Sequence, residues 1–340
     1  MTDCYTAKDI NFPNSGLKST ITGSYRPALA RVWHGMLLLM ATQGRPGKPA
    51  GIQAQIYDPY AGGFTSIFPQ SGGPQQVVAG PALFYADLFT WVFYSDGTNF
   101  VCASAPQPAP SSQNNNQIPF DDFQFGAPSV VAASITAINP TVILFNGQVY
   151  VFWTNAPPPG SYNTIYFTSA PYQPSADATT APTLAFGPVM QLVTYVGAIS
   201  EPSLAVYNGT LYCAYRGQSG FTQVLTLAPD GTSLVAQTVN TQTLSCGDLQ
   251  CTYAPAIAAD PKGTFLAMVF CQPNSQQLCT TYLPIDSSVW TDPQLIGTQT
   301  ANLSPTLVTT GGNLGYVGYS RTDKKGTNLT VSGYLPLIQA

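Results

Sequence analysis

Apolar residues along the chain fall into short runs separated by turn signals, with no helical period. The clearest case is "EPSLAVYNGTLYCAYRG", Glu201 to Gly217: a proline, an apolar run, an Asn-Gly turn, then an aromatic-rich second run. That order predicts a β-hairpin. Five other stretches share it: "YRPALARVWHGMLLLMA" from Tyr25, "GPALFYADLFTWVFYS" from Gly80, "NPTVILFNGQVYVFWT" from Asn139, "APAIAADPKGTFLAMVF" from Ala254 and "SPTLVTTGGNLGYVGYSR" from Ser304. Their prolines, Pro27, Pro81, Pro140, Pro202, Pro255 and Pro305, recur every 50 to 62 residues. Proline suits the first position of a strand, where no ladder donor is needed.

A repeat of that length fits a four-stranded blade, so the expected fold is all-β: one six-bladed β-propeller over residues 1–340 with four-stranded antiparallel blades. The residues before Pro27 and after Pro305 together make about one more repeat. The N-terminal segment is therefore expected to complete the last blade and close the ring. The Pro-rich stretches Ala105 to Pro119 and Asn155 to Tyr162 read as surface loops. The longest apolar runs, such as Gly35 to Ala41, have strand length, well short of the ~18 residues of a membrane span.

Composition narrows the function classes. Eleven Lys and Arg in 340 residues leave no basic face for nucleic acid. No phosphate loop, dinucleotide fingerprint or EF-hand loop occurs, so no cofactor is expected. The single histidine, His34, falls in a hairpin turn, and no Cys/His spacing suits zinc, so no metal is expected. Seven cysteines are present, and Cys246–Cys251 and Cys271–Cys279 are each spaced to close a small disulfide loop. With Asn-x-Ser/Thr triplets at Asn208, Asn302 and Asn328, this points to an extracellular or secretory-pathway protein, with a cytoplasmic one as the alternative. No signal peptide is visible at the N-terminus, and the cysteine count is odd.

In a chain that is 8% charged, the few charges stand out. Glu201 is the only glutamate, and there are five arginines. The position before each repeat proline holds Arg26, Gly80, Asn139, Glu201, Ala254 and Ser304. It opens the innermost strand of each blade, so one end of the central channel is expected to be polar, with Arg26 and Glu201 in opposite blades. Tyr25 and Tyr253 precede two of these positions. One reading is an axial ligand site built from Arg26, Asn139, Glu201, Arg216, Tyr253, Ser304 and Arg321. The other is an ion-pair plug with polar residues at strand ends.

Two of these stretches carry a resemblance. "YRPALARVWHGMLLLMA" resembles the first-blade signature of sialidases, Arg-Ile-Pro followed by a hairpin, with the Ile missing. "EPSLAVYNGTLYCAYRG" resembles the sialidase blade in which a Glu begins one strand and an Arg ends the next. The resemblance implies that Arg26 and Arg216 belong to a three-arginine carboxylate clamp, with Arg321 as candidate third member. It implies that Glu201 partners a nucleophilic Tyr. In an enzyme of this plan, Glu201, Arg26 and Tyr25 would be the catalytic candidates.

The Asp box S-x-D-x-G-x-T-W is absent; "YDPYAGGFTS" (Tyr57 to Ser66) is at most a worn remnant. Where the family's general acid should open the preceding strand, the chain reads "PAGIQAQIY", with no acid. Retaining hydrolysis needs both an acid/base and a nucleophile. A weaker resemblance links the chain to fungal fucose-lectin-like propellers. Their sites repeat between blades, and one glutamate with five arginines cannot furnish six of them. Trp91 and Trp153 fall in second strands and are expected in the core. Fungal propellers similar to those lectins act as hetero-Diels–Alderases, which need an apolar cavity, aromatics and a few donors.

The expected function is a lectin-like binding protein without efficient hydrolysis, taking a carbohydrate or other small polar ligand in one axial pocket. The alternative is an enzyme using the same cavity, either a cyclase of that type or a divergent sialidase-like glycosidase. The partner is a small molecule or glycan in both cases.

Overall fold

The computed structural model describes residues 25–42, 51–58, 63–64, 68–69, 77–108, 123–155, 163–175, 179–192, 200–230, 233–238, 249–311, 314–322 and 328–336, with residues 19, 21, 23, 177 and 198 besides. All secondary structure among them is strand, apart from one 3-10 turn at Trp33–Gly35. The first sheet holds β1 (Ala28–Arg31), β2 (Leu37–Thr42), β3 (Ile52–Asp58), β4 (Gly63–Phe64) and β5 (Phe68–Pro69), and the second β6 (Ala82–Ala86), β7 (Phe89–Ser95), β8 (Phe100–Pro106) and β9 (Ser129–Ala132). The third holds β10 (Ile138–Phe145), β11 (Gln148–Thr154), β12 (Ile165–Pro171) and β13 (Met190–Gln191). The fourth holds β14 (Ser203–Tyr207), β15 (Thr210–Arg216), β16 (Thr222–Asp230) and β17 (Ser233–Thr238). The fifth holds β18 (Ala256–Ala259), β19 (Phe265–Cys271), β20 (Gln277–Pro284) and β21 (Gln294–Thr300); the sixth holds β22 (Thr306–Gly311), β23 (Leu314–Thr322) and β24 (Asn328–Pro336).

All strand pairs are antiparallel, and each sheet is a meander running outward from its proline-led strand. Those six inner strands pack side by side in chain order, and β22 returns to β1, so the sheets form a closed ring. Five sheets carry four or more described strands and the sixth carries three. The expected closure by the N-terminal segment lies largely outside the described residues. Of that segment, Ile21 is fully buried and Ser19 Oγ donates to Gln55 Oε1 in β3 at 2.6 Å.

Strand alternation explains the core. Successive side chains face opposite sides of a sheet, and each blade is covered on both faces by its neighbours, so both faces must be apolar. In β2, Leu37 and Leu39 pack toward Tyr316 of the sixth blade, while Leu38 and Met40 pack toward Val92 and Val101 of the second. The buried residues accordingly form six clusters, one between each adjacent pair of blades. Trp91 and Trp153 share the cluster between the second and third blades, in the core position expected for them.

The expected disulfides are not formed where they can be seen. Cys102, Cys213, Cys251, Cys271 and Cys279 are buried free thiols; Cys246 lies outside the described residues. Register gives the reason for Cys271 and Cys279. Cys279 pairs with Phe270, so the two thiols leave opposite faces of the fifth blade. Cys271 joins the cluster toward the sixth blade and Cys279 the one toward the fourth. A bridge needs Cβ atoms facing each other about 4 Å apart.

Candidate functional site

The ring encloses an axial cavity of about 220 Å³ whose wall includes residues from the inner strands of all six blades. Each inner strand is paired on one side only, so its free edge and its side chains together form the wall. Leu83, Phe84, Tyr85, Val142, Leu204 and Ile257 are among the residues that line the cavity. Among the described residues, the one charged residue that lines it is Arg26.

Arg26 is only 7% exposed, and Glu201 only 9%. The residue before a proline is biased toward extended backbone, which gives most of the pre-proline positions a common setting at the end of the ring. From there Arg26 crosses to the opposite blade, where its Nη1 donates to the Pro202 carbonyl at 3.2 Å. Burial pushes its pKa down, and the charge of Glu201 acts in the opposite direction. The two residues therefore sit at the same end of the axis, as the alignment of the repeats implied.

The rest of the pre-proline ring is stitched together. Asn139 adopts φ +44°, a left-handed conformation that Asn tolerates, at an irregularity in β10. Its Oδ1 accepts the Gly80 N–H at 3.0 Å. Ser304 Oγ accepts the Ala254 N–H at 3.1 Å. Just past the proline of the fourth blade, Ser203 Oγ accepts the Ile257 N–H at 3.0 Å. Side chains of one blade thus satisfy the unpaired inner edge of another.

The remaining candidates lie off the cavity wall. Arg216 ends β15 half-buried, and its Nε donates to the Cys251 carbonyl at 2.7 Å, toward the fifth blade. Its own N–H is held by Ser200 Oγ at 2.9 Å. Tyr253 is half-buried, and its hydroxyl accepts from Gln276 Nε2 at 3.2 Å. Arg321 is half-exposed near the end of β23, close enough to Tyr319 for its charge to lower that phenol's pKa, while burial raises it to about 12. Tyr25 is half-buried. Of Arg26, Asn139, Glu201, Arg216, Tyr253, Ser304 and Arg321, only Arg26 faces the cavity. Gly80 and the Pro202 carbonyl, which position the rim, carry no side-chain signal that sequence reasoning could detect.

Among the described residues, no group of three His, Cys, Asp or Glu side chains is placed to hold a metal ion, and no helix is long and apolar enough to cross a membrane.

No known sequence family and no curated protein sequence matches the chain. Solved structures do resemble it. The α-L-arabinofuranosidase of Fusarium graminearum, in complex with an iminosugar inhibitor, superposes with a TM-score of 0.61 at 9% identity, over 97% of this chain and 98% of that one. The sialidase of Trypanosoma rangeli, in complex with sialic acid, gives 0.59 at 9% identity over 98% of this chain and 57% of that one. The PQQ-bound aldose sugar dehydrogenase of Streptomyces coelicolor gives 0.53 at 14% identity, covering 94% and 97%. At these identities the likeness establishes a shared β-propeller fold and nothing finer.

Proposed function

We propose that the protein binds one small ligand, a monosaccharide or a molecule of similar size bearing hydrogen-bond acceptors, in the axial cavity and does not hydrolyse it. The observation that carries this reading is Arg26, a buried residue among those that line that cavity. A guanidinium has five N–H donors in a fixed fork. Among the described residues, its hydrogen-bond acceptor is the Pro202 carbonyl, which uses one of them. A ligand oxygen would use donors that are already desolvated and oriented. The size supports a single ring, since a cavity of roughly 150 Å³ already accepts benzene. Against hydrolysis stands the wall itself, which includes no carboxylate among the described residues, whereas glycosidases flank the scissile bond with two.

A second reading, a divergent glycosidase, is favoured by the placement of Glu201 beside Arg26 and by the sugar-processing enzymes among the structural neighbours. One set of measurements separates the two. A glycan array and a thermal-shift screen of monosaccharides and small carboxylates test binding, and fluorogenic sialosides and arabinofuranosides test turnover. The expected result is a ligand that raises the melting temperature of the native protein but not of Arg26→Lys, which keeps the charge and loses the fork, with no turnover. Turnover abolished by Glu201→Gln would replace the binding reading with the glycosidase.

A further inference from the structure

We infer that ligands reach the axial cavity from the face carrying the inner hairpin turns, not from the polar rim. The inference rests on the binding reading above.

The rim is bridged by its own bonds. Arg26, Gly80, Glu201, Ala254 and Ser304 are buried, and Asn139 is half-buried. Gly80 is bonded to Asn139, Ala254 to Ser304, and Arg26 spans the axis to Pro202. Arg26 is the one pre-proline residue that the cavity touches.

In the other direction the wall continues to Ala30 and Tyr85, near the far ends of their strands, and to Val308, midway along β22. Exposure rises along the same path. Ala256 and Ile257 are buried while Ala258 and Ala259 are half-buried, and Thr306 and Leu307 are buried while Val308 and Thr309 are half-buried. The half-buried wall residues Leu83, Tyr85, Val142 and Val308 therefore mark the mouth.

Cysteine accessibility tests this without a ligand, so its outcome is separate from whether the binding reading holds. Ala82 is a buried wall residue next to Pro81. The substitution Ala82→Cys places a reporter thiol there, in a protein that also carries Cys4→Ser and Cys246→Ser; the other five thiols are buried. The probe is methyl methanethiosulfonate, and native circular dichroism confirms folding of each variant. Val142→Trp is expected to slow labelling by about tenfold or more. Tyr85→Trp, already aromatic at that position, serves as the second mouth variant if Val142→Trp fails to fold. Tyr253→Ala, which thins the rim face, is expected to leave the rate unchanged. Faster labelling in Tyr253→Ala with no slowing by the mouth variants would put the entrance at the rim and overturn the inference. So would a folded protein in which the reporter thiol never reacts.

Discussion

Gly80 has no side chain because none fits. A Cβ there would fall on Asn139 Oδ1 and lie 2.6 Å from the Arg26 carbonyl, and the carbonyl belongs to backbone that cannot swing aside. Gly80→Ala is expected to cost about 1–3 kcal/mol as overpacking, read as a lower urea midpoint, and to loosen Arg26 from Pro202. Gly51, with nothing within 4 Å of its Cβ direction, is the control: Gly51→Ala should move the midpoint little. An equal effect of the two substitutions would show that the rim is not tightly packed. The placement of Arg26 and Glu201 at one end of the ring was legible in the sequence because the prolines align the blades. The part played by Gly80 was not, since an absent side chain leaves no chemical signature. Arg216 shows the other limit. Repeat alignment puts it at the right end of the ring, but the direction of its guanidinium is decided by the Cys251 carbonyl in the next blade.

The inner hairpins show which elements a sequence declares. Asn146-Gly147 and Asn208-Gly209 both adopt positive φ at each turn residue, the conformation for which Asn-Gly is the expected pair. The second blade makes a turn of the same kind from Asp87 and Leu88, at φ 45° and 70°. Leucine is poorly suited to that region, where a Cβ crowds the backbone by about 1–2 kcal/mol. It is also 44% exposed, so its packing offsets little of the strain. Leu88→Gly is expected to raise stability by about 0.5–1 kcal/mol, the strain relief exceeding the added freedom of the unfolded chain. A fall in the urea midpoint would mean that Leu88 is held by contacts that outweigh its backbone. The proline-led first strands and their aromatic partners were legible because each keeps a strong pattern. The outer strands were not: β9 has four residues and β13 two, too short for alternation to register. The cysteine spacing misled for a related reason. Nearness in sequence says nothing about which face of a strand a thiol leaves.

Over the whole molecule, stability comes from six apolar interblade clusters, and burial there makes the fold sensitive to alkali. Burial raises the thiols of Cys102 and Cys251 from 9.0 to about 11, and those of Cys213 and Cys279 to about 12. It raises the phenols of Tyr94 and Tyr282 from 10.0 to about 12. The folded protein therefore keeps protons that the unfolded chain releases near pH 9 to 10, and unfolding gives up protons in that range. For groups raised in this way, the stabilising contribution is complete below the unfolded pKa and is lost as pH climbs to the folded one. The urea midpoint should stay level from neutrality to about pH 8.5, then fall steadily toward pH 11 as each buried thiol and phenol becomes more costly to keep protonated. Because the five described thiols are unpaired, adding a reductant should leave the neutral-pH midpoint where it was. A midpoint that holds unchanged through about pH 11 would mean that the thiols and phenols ionise in place, with water reaching the interblade clusters that the ring is built to exclude.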